Sequence, residues 1–149
     1  MGLSLLDTEI TDATEMVALG ACGACAGNQL PFAPEVSGFG IVTYRRPLAA
    51  GEMHFTTELI YRDQMFGGPD NIPDAAVDSW SEFNFRFGYR ADSDWYATLW
   101  VENAFDEEYF ERGWENADSS NQFGYGLFNE LVWPARPRTV GLSVGKSWK

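Results

Sequence analysis

Hydrophobic and polar residues alternate without interruption in the stretch that begins at residue 83. The aromatic positions are Phe83, Phe85, Phe87 and Tyr89, and the polar positions between them include Asn84, Arg86 and Arg90. Because successive side chains of a β-strand point to opposite faces, this pattern predicts a strand with one aromatic and one charged face. A polar turn at residues 92–94 and a second alternating run at residues 95–101 complete a predicted hairpin.

Alternation elsewhere predicts four further strands, at residues 2–10, 35–46, 52–66 and 138–148. The sequence therefore predicts an all-β, antiparallel, up-and-down meander of about six long strands. Most of these strands would be about 9–14 residues long, which is longer than usual for a soluble domain and long enough to cross a bilayer at a tilt.

The predicted connections alternate between long and short along the chain. They cover residues 11–33, 47–51, 67–79, 92–94 and 105–137. In a meander, alternate connections lie at opposite ends of the sheet, so every short turn is expected at one end and every long loop at the other. This asymmetry is typical of outer-membrane barrels, whereas a soluble sandwich has no reason to sort its loops by length.

Composition narrows the functional classes. Aromatic residues make up 15% of the 149 residues, and the net charge of -12 argues against a nucleic-acid partner, since phosphate binding needs a basic surface. A membrane-spanning helix needs a run of about 18–20 apolar residues, and the sequence contains no such run. Residues 1–6 lack the basic start of a signal peptide, so if the chain is exported, its export signal is expected upstream of this sequence.

Three phrases in the sequence resemble the C-terminal barrel of TonB-dependent outer-membrane receptors. They are WVENAFDEEY at residues 100–109, GNQLPFAP at residues 27–34 and PRTVGLSV at residues 137–144. The resemblance implies the last six or so strands of a barrel of about 22 strands, in the outer membrane of a Gram-negative bacterium. Residues 1–149 would then form a partial barrel domain, and the plug domain and the TonB-contacting segment have no counterpart in them.

The resemblance also implies a function and partners. The receptor would take up a scarce ligand, such as a ferric siderophore, a vitamin or a sugar, without enzymatic chemistry or a cofactor. Its partners would be outer-membrane lipid, the remainder of the barrel and the plug, TonB through the missing N-terminal part, the barrel-assembly machinery and the small-molecule ligand.

The two faces of the predicted strands supply the expected contacts. The polar residues expected to face the lumen are Glu58, Arg62, Arg86, Arg90 and Glu102. The residues expected to face lipid are Phe83, Phe85, Phe87, Leu99, Val101, Leu142 and Val144.

The C-terminus resembles the signal that the barrel-assembly machinery recognises. Gly141, Leu142, Val144 and Trp148 fit that signal. Lys146 stands where an aromatic residue is usual, and Lys149 extends past the expected end.

Other candidate chemistry is weaker. Cys22 and Cys25 have a C-x-x-C spacing, but they lie in a predicted loop, which favours a disulfide over redox catalysis. His54 is the only histidine and is expected to be a polar residue facing the lumen. The acidic residues of loop 105–136 are expected to form a solvated face, and no metal site or catalytic residue is predicted.

Aromatic residues of that same loop suggest another role. Trp114, Phe123, Tyr125 and Phe128 are candidates either for ligand contact or for an aromatic girdle at the lipid interface, and Trp133 is expected in the girdle.

Two alternatives stay open at this point. The chain could form a soluble β-sandwich that binds carbohydrate through the aromatic loop, which would bury Phe83, Phe85 and Phe87 against a second sheet. It could also be a small outer-membrane scaffold that closes by oligomerising. For the main hypothesis we expect an open, curved sheet with two unpaired edges, because about eight strands are needed to close a barrel.

Overall fold

A computed structural model describes residues 1–73, 76–115 and 130–148 of the protein. Ten strands and one short helix, α1 (Thr14–Ala18), are present in this part of the chain. The strands are β1 (Gly2–Leu5), β2 (Val36–Leu48), β3 (Gly51–Arg62), β4 (Met65–Phe66), β5 (Ala76–Val77), β6 (Trp80–Ala91), β7 (Trp95–Glu102), β8 (Phe110–Glu115), β9 (Glu130–Pro134) and β10 (Thr139–Lys146).

Six of these strands form one open antiparallel sheet in the order β1-β2-β3-β6-β7-β10. Two small hairpins, β4-β5 and β8-β9, lie within the long connections. The fold predicted from alternation is confirmed: the sheet is a meander whose short turns, at residues 49–50 and 92–94, lie at one end. We call this the short-turn end, and we call the opposite end, which carries every long connection, the long-loop end.

Several predicted boundaries were wrong. The first strand ends at Leu5 rather than residue 10, and the third ends at Arg62 because the chain leaves the sheet to form β4. The second strand continues through Pro47 to Leu48, beside a two-residue turn. The last strand is Thr139–Lys146 rather than residues 138–148.

The predicted loops also contain structure. The connection at residues 11–33 includes α1, the connection at residues 67–79 includes β5, and the connection at residues 105–137 contains the β8-β9 hairpin. Residues of β8 and β9 alternate poorly in polarity, so their pairing could not be predicted from periodicity.

Strand register divides the side chains of the main sheet between two faces. Residues opposite one another on neighbouring strands share a face. The apolar face, as we define it, includes Phe55, Phe83, Phe85, Phe87, Leu99, Val101, Leu142 and Val144. The polar face includes Glu58, Arg62, Arg86, Arg90 and Glu102, together with a few apolar residues such as Phe39 and Ile60.

The apolar face is bare. Val42 and Leu142 on it are 66% and 68% exposed, and the side chains of Phe87 and Leu99 are also exposed. In the described ranges, the contact between different sheets that involves several residues is the one between β5 and β8, which belong to the two small hairpins. The second sheet that a β-sandwich requires over this face is therefore not found in the described residues.

The buried hydrophobic cluster lies outside the sheet, in the first long connection. It consists of Ile10, Ala13, Cys22 and Cys25, and the two cysteines form a disulfide. None of the described helices is long and apolar enough to cross a membrane.

The first two long connections hold each other. The Asn71 side chain accepts a hydrogen bond from the Gln29 amide at 2.7 Å and donates to the Gln29 carbonyl at 3.0 Å. The Gly23 amide, between the two cysteines, donates to Asp70 Oδ1 at 2.9 Å. The chain therefore forms an ordered cap at the long-loop end of the sheet.

Candidate functional site

A groove lies at the long-loop end of the sheet. It encloses about 750 Å³ and is lined by both apolar and cationic side chains. Those that matter below are Phe39, Ile60, Arg62, Met65, Trp80 and Arg112. We call this site the loop-end groove.

A stack of three side chains forms one wall of the groove. Arg62 is directly opposite Trp80 in the β3-β6 register, and its guanidinium carbon lies 5.1 Å from the centroid of the indole ring. On the indole stacks Tyr109, with the ring centroids 4.2 Å apart and the planes inclined by 19°. A cation held against an aromatic face in this way is attracted by the ring quadrupole.

Hydrogen bonds fix both ends of this stack. Arg62 Nη2 donates to the Phe110 carbonyl at 3.2 Å, and the Tyr109 hydroxyl donates to Glu82 Oε2 at 2.6 Å. Burial raises the pKa of Tyr109 above its usual value, and the hydrogen bond to Glu82 raises it further. The phenol therefore stays protonated and keeps donating to the carboxylate at physiological pH.

Two arginines and one glutamate, Glu111, line the groove, so positive charge is in excess among its lining residues. Neither Arg62 nor Arg112 belongs to an ion pair in the described ranges, where the three pairs involve Arg86, Arg136 and Arg138. Arg62 Nε and Trp80 Nε1 are buried without a hydrogen-bond partner among the described residues. A buried donor without a partner costs free energy, so an acceptor placed beside either nitrogen would be stabilising.

A buried amide organises the base of the last long connection. Asn103 is 2% exposed; its Nδ2 donates to the carbonyls of Glu107 and Arg136 at 2.9 and 3.1 Å, and its Oδ1 accepts from the Glu107 amide at 2.9 Å. The backbone N–H of Asn103 donates to Asn84 Oδ1 at 3.0 Å. These bonds connect the polar face of the sheet to both ends of the connection.

Ion pairs reinforce the same base. Glu102 contacts Arg136 at 3.2 Å and Arg86 at 3.9 Å, and Asp106 contacts Arg138 at 3.6 Å. The chain that leaves β7 is therefore attached to the chain that enters β10.

A second, smaller hollow lies on the polar face at the short-turn end. It encloses about 400 Å³ and is lined by Thr43, Arg45, Glu52, His54, Thr56 and Arg90. The His54 ring lies over Gly88 of the next strand, which is directly opposite. In the described ranges, no cluster of three or more His, Cys, Asp or Glu residues could hold a metal ion.

The structure brings several predicted site residues together on the two faces. Glu58 accepts a hydrogen bond from Asn84 Nδ2 at 3.1 Å, Arg86 and Glu102 form the pair described above, and Arg62 lies in the aromatic stack. Arg90 lies apart from these four predicted residues, in the short-turn hollow. The predicted lipid-facing residues all lie on the apolar face, where Phe83 packs edge-on against Phe105 with centroids 5.1 Å apart. Whether one face meets a lumen and the other meets lipid stays a prediction.

Some predicted contacts lie outside the described residues. These are Phe123, Tyr125 and Phe128, together with the Trp114 side chain. Trp133 is about half-exposed on β9, and its place in a girdle stays a prediction.

Most residues that shape the loop-end groove were not predicted from the sequence. Trp80 and Glu82 continue the period-two pattern of Asn84 and Arg86 toward the chain start, so alternation could have included them. Nothing in the sequence placed Tyr109 or Arg112 beside Arg62, because this proximity depends on the path of a long connection.

Comparisons with known proteins bear on the fold. No family model and no curated protein sequence matches the chain. Among solved structures, the chain is similar to the ferric yersiniabactin uptake receptor FyuA from Yersinia pestis, with 18% sequence identity and a TM-score of 0.66. The match covers 80% of this chain and 17% of FyuA, so the chain spans a small part of that receptor's length.

Proposed function

We propose that the chain forms part of the wall of an outer-membrane receptor barrel that takes up a scarce ligand, such as a ferric siderophore, a vitamin or a sugar. The single observation that carries this proposal is the bare apolar face, which continues across the sheet with polar residues behind it. A lipid-facing barrel wall has this arrangement. The similarity to part of an uptake receptor supports the same function.

In this function the polar face lines the lumen and the loop-end groove contacts the ligand. Arg62 and Arg112, against the single carboxylate of Glu111, favour a ligand that carries negative charge, and the exposed ring of Phe39 provides apolar surface for it. The plug, the remaining strands, TonB and the barrel-assembly machinery are the partners that this function predicts.

Neighbouring residues of one strand allow a direct test of the membrane orientation. Leu99 lies on the apolar face and Thr98 on the polar face of β7. We expect a fluorophore on Leu99→Cys, in chain reconstituted into vesicles, to be quenched by a lipid-soluble quencher, and one on Thr98→Cys to be quenched by iodide from water. Leu142→Cys and Ser143→Cys repeat the comparison on β10.

The test separates the proposal from the soluble alternative. Lipid quenching at residues 99 and 142 but not at 98 and 143 supports a barrel wall. Equal access of iodide to all four positions contradicts membrane insertion, and shielding of residues 99 and 142 from both quenchers supports a second sheet over the apolar face.

A further inference from the structure

The apolar face carries a charge asymmetry. Within the described strands of the main sheet, its only charged residues are Arg46 on β2 and Lys146 on β10. Both are basic, although the whole chain has 22 acidic and only 10 basic residues. Both also lie at the short-turn end, where Arg46 pairs with Met53 and Lys146 pairs with Trp95.

Aromatic rings surround one of these charges. Lys146 Nζ lies 5.5 Å from the centroid of the Trp95 ring and 4.7 Å from that of Trp148. Both indoles are well exposed. Indole rings beside a lysine suit the boundary between hydrocarbon and headgroups, because one part of each side chain is apolar and the other is polar.

Neither of these two charges is paired with an acidic side chain of the described residues. Neither Arg46 nor Lys146 belongs to an ion pair in the described part of the chain, although Asp92 and Asp94 occupy the nearby turn. Arg45, the neighbour of Arg46, lies on the polar face and lines the short-turn hollow instead. Two exposed cations on an otherwise apolar surface complement anionic headgroups at a bilayer surface.

We propose that a short-turn belt, consisting of Arg46, Trp95, Lys146 and Trp148, binds the phosphate headgroups of anionic phospholipids in the leaflet at this end of the sheet. The inference rests on the proposed function, because it requires the apolar face to meet lipid. Four strand spacings of about 4.8 Å put β2 and β10 about 19 Å apart, so each cation binds its own headgroup.

Tryptophan quenching by brominated lipid tests the belt, because Trp95 and Trp148 lie within it. The full chain is reconstituted into phosphatidylcholine vesicles in which a fixed fraction is brominated phosphatidylglycerol or, for comparison, brominated phosphatidylcholine. We expect a preference of about fivefold for phosphatidylglycerol, which is the size associated with one basic residue near a charged bilayer surface. The preference is expected to fall at high salt, because exposed charges are screened.

Two double variants distinguish a local site from general attraction. Arg46→Gln with Lys146→Gln removes both belt cations and is expected to abolish the preference. Arg45→Gln with Arg90→Gln removes two cations from the same end of the opposite face and is expected to retain it. Absence of a preference in the unmodified chain, or equal loss in both double variants, overturns the inference.

The same measurement distinguishes this failure from failure of the proposed function. If brominated phosphatidylcholine quenches the tryptophans but phosphatidylglycerol is not preferred, the chain meets lipid and only the belt is wrong. If neither brominated lipid quenches them, membrane insertion itself fails, and the inference fails with it.

Discussion

At the scale of single residues, Asn103 determines how the chain leaves the sheet after β7. Its backbone has φ of 49°, in the left-handed region that asparagine tolerates better than most residues. The side chain also forms hydrogen bonds with Glu107 and Arg136, which lie near the two ends of the connection between β7 and β10. Conformation and hydrogen bonding therefore require the same residue, in the middle of the phrase at residues 100–109.

Replacement of Asn103 should destabilise the protein through both requirements. We expect Asn103→Ala to lower the free energy of unfolding by about 2–4 kcal/mol, since it removes three hydrogen bonds from a buried site and puts alanine, which tolerates positive φ less well than asparagine, at this backbone conformation. Urea unfolding of the detergent-solubilised chain measures the change, and hydrogen exchange at residues 104–107 shows where it acts.

Asn103→Gly separates the two causes, because glycine accepts the backbone conformation but lacks the hydrogen bonds. It should therefore unfold at a urea concentration between those of the unmodified protein and Asn103→Ala. An unfolding free energy unchanged in Asn103→Ala would contradict the role of this side chain.

At the scale of elements, rings and glycines interlock on the polar face. Gly88, Gly141 and Gly145 lie under the rings of His54, Trp100 and Tyr96, which are directly opposite them on neighbouring strands. A β-carbon at any of these glycines would overlap the aromatic side chain that faces it. Cross-strand contacts of this kind fix the register between strands.

Gly141→Ala should therefore weaken the pairing of β7 with β10. The added methyl group must displace the Trp100 ring, and overpacking of this kind costs about 1–3 kcal/mol of unfolding free energy. Gly40→Ala is the matched control, because a β-carbon there has no neighbour within 4 Å, and it should be neutral or slightly stabilising.

A double-mutant cycle completes this test. Trp100→Ala removes the ring, so Gly141→Ala should have little further effect in its presence. If Gly141→Ala lowers stability by the same amount with and without Trp100, the contact between ring and glycine is not the cause.

The strands and their two faces could be predicted from the sequence, but the register between distant strands could not. Alternation identified the six main strands and assigned residues such as Phe85 and Arg86 to the correct faces, because the period of a strand is local. It could not put Arg62 opposite Trp80. A tight hairpin fixes register by its length, but β3 and β6 are joined through a long connection, so their register depends on tertiary packing.

At the scale of the whole molecule, the sheet is incomplete in two ways. β1 and β10 each have only one neighbouring strand, and the apolar face has no covering layer in the described part of the chain. Unpaired strand edges and a large bare apolar surface both promote association. In the proposed function, neighbouring strands of the barrel cover the edges and lipid covers the face.

The same exposure predicts how the chain behaves without lipid. We expect the 16.7 kDa chain to sediment as large assemblies in detergent-free buffer and as a monomer in detergent micelles.

Two variants test whether the apolar face causes this association. Leu142→Lys introduces charge on the apolar face of β10, whereas Ser143→Lys introduces the same charge on the polar face of the same edge strand. Burial of one leucine contributes about 1.5–3 kcal/mol, so Leu142→Lys should raise the concentration of soluble monomer by about 10- to 100-fold, and Ser143→Lys by much less. Equal effects of the two variants would assign association to the strand edge rather than to the face. A monodisperse monomer of the unmodified chain in detergent-free buffer would contradict the barrel-wall function, because a large apolar face that contacts lipid should cause association in water.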